Sequence, residues 1–189
     1  MMERTDRDKE EYAIVLDFLP NGTSNDGRPS HRRQPVAQAL GKSRFTLLEL
    51  VPREGIFLQP NEEVYIGDGK RDKVHHVNGR IEIEQLTNTA RGELQFLIEA
   101  AVKKEEPKYV EWFNKAQPLS IRLHKLELLP GFGKKHLNEF LEEHDENGDF
   151  KTFEEMRKRI KLMPDPEKLI IRRILSELEG KEKHRIFTD

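Results

Sequence analysis

The spacing of the apolar residues changes once along this chain, near Leu86, and that change limits the available folds more than any motif does. Before it, short apolar runs alternate with turn formers. "YAIVLDFLP", Tyr12 to Pro20, reads as a buried strand stopped by proline. "VAQAL" and "RFTLLELV" flank Gly41-Lys42-Ser43 as a hairpin, with Phe45, Leu47 and Glu49 alternating against Thr46, Leu48 and Leu50. "EEVYIG" adds a strand, and "DKVHHV" with "RIEIEQL" around Asn78-Gly79 predicts another hairpin. From Thr87 the spacing becomes helical. Leu94, Leu97, Ile98, Ala101 and Val102 share one face, and Pro107 opens a short helix carrying Tyr109, Val110, Trp112 and Phe113. "IRLHKLELL", introduced by Pro118 and Ser120, continues the helical reading.

The expected architecture is a two-domain α+β protein. A charged, disordered tail occupies 1–11, a small N-terminal antiparallel β-barrel 12–86, and an all-α domain 87–189. Five or so short strands in about 75 residues suit a barrel of the oligonucleotide-binding (OB) type, with an open sandwich as the alternative. Apolar residues make up 35% of the 189 and charged residues 36%, so the cores must be small.

Charge narrows the functional classes. A net charge of −2 gives the whole molecule no field that would draw it to nucleic acid or an anionic membrane, so any anion site must be local. The absence of cysteine excludes disulfides, thiolate nucleophiles and cysteine-based zinc sites. "MMERTDRDKEE" lacks the apolar stretch of a signal peptide, and no apolar run approaches the roughly 20 residues of a membrane span. A cytoplasmic protein without a membrane partner is expected.

"LELLPGFGKKHLNEF", Leu126 to Phe140, carries the strongest functional signal. Pro130 ends one segment, Gly131 and Gly133 permit a tight turn, and the next helix begins at Lys134 and Lys135 with unpaired amides and the positive end of its dipole. Such an end is suited to a phosphate. The stretch resembles the helix-hairpin-helix family, whose apolar-Pro-Gly-apolar-Gly pattern Leu129, Pro130, Gly131, Phe132 and Gly133 match, with Leu126 and Leu137 as flanking core residues. The resemblance implies amides of Gly131 and Gly133 on a nucleic-acid phosphate, supported by Lys134. Leu137 departs from the small residue often found there, which implies a wider gap between the helices.

Sliding the chain by 34 residues sets "LMPDPEKLIIRRIL" under "LLPGFGKKHLNEFL", with Pro164 beneath Pro130 and Lys168 beneath Lys134. Asp165, Pro166 and Glu167 replace Gly131, Phe132 and Gly133, so this second copy keeps the frame without the amide site. The whole chain also resembles the archaeal domain of unknown function 655 family, labelled as predicted RNA-binding or nucleotide-binding proteins.

Other motifs fail. Gly41-Lys42-Ser43 lacks the upstream glycine of a P-loop, where Val36 stands. "EHDENGDFKTFE" resembles a calcium loop but starts with Glu143 and carries Lys151 at the ninth place, so it reads as a polar connector with Thr152 and Glu155 as a capping box. His75 and His76 on one strand should point to opposite faces and share no metal. No nucleophile–base spacing appears. The leading expectation is a non-catalytic RNA-binding protein without metal or cofactor. Gly131, Phe132, Gly133, Lys134 and Lys135 would grip a phosphate, while Arg28, Arg32, Arg33, Lys42 and Arg44 of the barrel, with an exposed aromatic, would follow a single strand. The alternative is a protein-interaction adaptor that uses the helical half.

Overall fold

The structure, a computed structural model, describes residues 9–24 and 26–189. Most of the expected disordered tail lies outside them. Within them the tail reading fails at Glu10, which is 9% exposed and tied to a loop. The chain divides into two compact units, Met1–Leu97 with Leu178–Asp189, and Ile98–Glu177. This differs from the break expected at Leu86: the division falls inside a helix, and the last residues belong to the first unit.

The first unit holds β1 (Tyr12–Leu19), β2 (Val36–Gly41), β3 (Leu47–Pro52), β4 (Glu63–Tyr65) and β5 (Val74–Arg80). They form an antiparallel sheet in the order β4-β1-β2-β3-β5, curled into a half-barrel with β4 and β5 as its edges. Alternate residues fill the inside, among them Ala13 and Val15 of β1, Ala37 and Ala39 of β2, and Leu48 and Leu50 of β3. Phe45 and Leu47, expected on the opposite face from Leu48, are buried too. That second face is also covered: Gln38 donates to the Gln85 carbonyl at 2.8 Å and accepts from the Thr87 amide at 2.9 Å.

The hairpin expected at Asn78-Gly79 is absent. β5 runs straight through it, pairing Val77 with Leu50 and Gly79 with Glu49, so Asn78 is the extra residue of a bulge. Its side chain bonds Glu49 Oε1 at 2.6 Å. Ile81 still donates to the Leu47 carbonyl, and the chain then closes into a 3-10 turn, Ile83–Gln85. Pairing with β3 overrides the local turn signal.

Helix α1 (Asn88–Lys104) is followed in the second unit by α2 (Glu106–Asn114), β6 (Pro118–Ser120), β7 (Leu123–His124), a 3-10 turn (Lys125–Leu128), α3 (Lys134–Asn147), α4 (Phe153–Arg159) and α5 (Pro166–Leu178). The unit is therefore not all-α. Leu119, Ile121 and Leu123 belong to a two-residue period, and the Ser120 hydroxyl accepts from the amides of Arg122 and Leu123 to form the turn between the strands. Phe113, Phe132 and Phe150 surround Phe140, with centroids 6.0, 6.4 and 5.0 Å away. This cluster anchors α3 beneath its N-terminal turn.

Candidate nucleic-acid interface

The lead-in to the glycine turn is a single 3-10 turn, shorter than the helix expected there. His124 caps it, its Nδ1 accepting from the Leu126 amide at 3.2 Å while the His124 amide donates to Glu127. Burial lowers the His124 pKa, and Glu127 partly opposes the shift. Gly131 has φ +86°, a conformation that favours glycine. Gly133 has φ −90° and ψ −179°, ordinary extended backbone, and serves as the N-cap of α3 without a side-chain cap.

Leu137 is the first residue of α3 whose amide finds a carbonyl, that of Gly133. Among the described residues the amides of Gly131, Gly133, Lys134, Lys135 and His136 have no partner. Nothing stands within 4 Å of a Cβ built on Gly131 or Gly133, and Lys134 and Lys135 are exposed without an ion pair among those residues. The turn thus gathers free amide donors, a helix dipole and two cations. Phe132 does not belong to this surface. It is 3% exposed in the aromatic cluster, and its amide bonds the Leu129 carbonyl.

The second copy differs in backbone as well as sequence. Three residues separate Pro130 from α3, but only Asp165 separates Pro164 from α5. Asp165 Oδ1 accepts from the amides of Glu167 at 3.0 Å and Lys168 at 3.3 Å, and Arg157 braces both Asp165 and Glu167. Burial opposes ionisation of Asp165, but the Arg157 bond and the two amides outweigh it and hold its pKa below the ordinary value.

Two other motif-like loops are also filled from within the chain. In the calcium-like connector, Arg159 stands where the ion would. It bonds the Glu143 carboxylate at 2.8 Å, the carbonyls of Gly148 and Asp149 at 2.8 and 3.3 Å, and Glu155 at 3.0 Å, with its guanidinium 4.0 Å from the Phe150 centroid. At Gly41-Lys42-Ser43 the carboxylate of Glu10 accepts from the amides of Ser43 and Arg44 at 2.8 and 2.7 Å. A Cβ on Gly41 would lie 2.3 Å from that carboxylate, so a larger residue there would have to displace the Glu10 side chain.

The basic residues of the first unit are partly committed. Arg28 pairs with Asp26, Lys42 with Glu63, and Arg44 lies 3.8 Å from Asp189. Arg33 donates to the Arg28 carbonyl and Arg32 is exposed; neither has a carboxylate partner among the described residues. His75 and His76 do not point apart as expected. A register shift at Val51/Pro52 turns them together, Nδ1 to Nδ1 at 2.7 Å. No group of three metal-ligating side chains is present among the described residues, and no helix there is long and apolar enough to cross a membrane.

Sequence reasoning missed Glu10, Arg159 and Asp165 as the groups that fill these sites. For Asp165 a signal existed: aspartate directly before a proline is a common start of a helix.

A half-barrel unit and a helical unit with one uncapped glycine turn define a two-unit α+β protein. It belongs to the family described as "Protein of unknown function (DUF655)", which matches residues 9–189. The uncharacterized protein MJ0038 of Methanocaldococcus jannaschii is 39% identical over 178 residues, 94% of this chain and 78% of that protein. The crystal structure of Af1531 from Archaeoglobus fulgidus, also of this family, is similar with a TM-score of 0.83 at 44% identity, covering 95% of this chain and 100% of that one.

Proposed function

We propose that this protein is a non-catalytic nucleic-acid-binding protein whose Gly131–Lys135 turn holds a backbone phosphate, with RNA as the target class implied by the sequence resemblance. One observation carries the reading. The loops at Gly41, Glu143 and Asp165 are each satisfied by a charged side chain of the chain itself, whereas the amides of this turn meet none among the described residues. Lysines in the first turn of a helix oppose its dipole by a few tenths of a kcal/mol, a cost that a bound anion reverses.

The turn is read as the hairpin of a helix-hairpin-helix whose first helix has shrunk to one 3-10 turn. The half-barrel is read as OB-like. Its β1–β2 loop carries Arg32 and Arg33 and its β4–β5 loop Lys70 and Arg71, and these are the loops that touch oligonucleotides in such barrels. Its β2–β3 surface, buried on both faces, offers no stacking platform.

The test is anisotropy of a labelled single-stranded RNA titrated at several salt concentrations. Replacing Lys134 and Lys135 together by Ala should lower the slope of log K against log salt by roughly 1.4, at about 0.7 per phosphate contact. An unchanged slope removes the turn from the interface. The adaptor reading is favoured by the β6–β7 tip, where Leu119, Ile121 and Leu123 are 53%, 106% and 37% exposed. It takes the lead if the wild-type protein binds no RNA at low salt.

A further inference from the structure

Arg173 and Glu177 lie one turn apart on α5 and are 2% and 1% exposed. Arg173 Nε donates to Glu177 Oε1 at 2.8 Å, and its Nη1 donates to the carbonyl of Leu128 at 2.7 Å. A buried ion pair is often no more stabilising than apolar side chains of the same volume. What apolar side chains could not supply here is the bond to Leu128.

Leu128 is the last residue of the 3-10 turn that leads into the glycine turn, and a turn that short leaves its final carbonyls without helical partners. The peptide after Leu128 also sets the direction in which the chain leaves. Two bonds then carry that direction forward, from the Leu129 amide to Leu126 at 3.1 Å and from the Phe132 amide to Leu129 at 3.0 Å. The guanidinium is held in plane by Glu177, so it fixes the Leu128 carbonyl in orientation as well as distance.

We propose that Arg173 is the positioning residue of the Gly131–Lys135 turn: oriented by Glu177, it holds the Leu128 carbonyl so that the amides beyond Pro130 converge on one anion. The inference rests on the phosphate reading, but its geometric part is measured separately.

The double substitution Arg173→Met/Glu177→Leu removes both charges of the pair at once, so neither is left buried without the other. Amide hydrogen exchange on the full chain should quicken at least tenfold at Leu129 and Phe132, while α3 beyond Leu137 keeps its protection. Affinity for single-stranded RNA, read by anisotropy, should fall about tenfold. Unchanged exchange at Leu129 and Phe132 overturns the inference, and so does quickened exchange with wild-type affinity. If the Met/Leu pair does not fold, Arg173→Lys with Glu177 in place serves instead, because one ammonium cannot reproduce the planar fork; the same quickening is expected. Failure of the phosphate reading looks different: the wild type binds no RNA, or Lys134→Ala leaves binding unchanged. The exchange rates alone then decide whether Arg173 holds the turn.

Discussion

The two proline turns of the helical unit share a frame of apolar residues and treat the helix start behind them in opposite ways. After Pro164, Asp165 places a carboxylate on the first amides of α5, and Arg157 neutralises it. After Pro130, two glycines and a buried phenylalanine carry the chain to α3 with no side-chain cap among the described residues, and two lysines follow. The first arrangement is complete in itself. The second gathers amide donors and positive charge, the features on which the phosphate proposal rests. A repeat that looks degenerate in sequence is therefore informative, because it displays the self-capped form of the same helix start.

The sharpest way to break this comparison is to convert one turn into the other. Gly133 is extended and has open space around its Cα, so Gly133→Asp introduces no strain and supplies α3 with the kind of cap that Asp165 gives α5. Expected are a melting temperature equal to or slightly above wild type and an RNA affinity lowered at least a hundredfold, about 2.7 kcal/mol. A variant that is capped, folded and still binding at full strength would show that the open amides have no part in function.

The connector between the turns gives an effect of comparable size. Arg159→Ala removes a guanidinium shared by two carboxylates and several carbonyls, and should cost about 3 kcal/mol in denaturant unfolding. Millimolar calcium should not restore the wild-type midpoint, because Lys151 still stands among the ligand positions. Calcium rescue would mean that the loop remains a metal site in waiting.

Asp165→Ala should cost about 1–2 kcal/mol, as a lost N-cap does, and leave RNA affinity unchanged. The same carboxylate has a pKa below its ordinary value of 3.8, so its contribution is complete above that value and disappears as pH falls through the folded one. An acid titration should show this loss in wild type and not in Asp165→Ala; identical curves would mean that the cap contributes nothing.

The smallest effect belongs to His124. Its Nδ1 must be unprotonated to accept from Leu126, and its folded pKa lies below 6.5, so its contribution is whole above 6.5 and fades as pH drops through the lower folded value. An NMR titration of the ring should give a midpoint below 6.5. A midpoint above 6.5 would contradict the buried neutral ring.

Much of the frame was legible because it follows periodicity. Ala13 and Val15, Leu48 and Leu50 announce strands, and Leu94, Ile98 and Val102 announce α1. Misreadings arose where long-range pairing overruled a local signal. Asn78-Gly79 looks like a hairpin until β3 claims residues on both sides of it, and Ile121 and Leu123 fit a helix or a strand until Ser120 turns the chain. The glycines of the candidate site were legible, as were its lysines. The ions that fill its look-alikes were not: Glu10 reaches Ser43 across 33 positions and Arg159 reaches Glu143 across 16, and no spacing rule marks such pairs.

The last residues of the chain bear on the order of folding. Asp189 pairs with Arg80, its amide donates to the Arg44 carbonyl, and Thr188 beside it is 3% exposed. During synthesis from the N-terminus, every residue of the helical unit is made before these contacts become available. The half-barrel, though its strands are made first, is completed last: a chain cut before residue 178 would carry every residue of the helical unit and a sheet still missing its final segment.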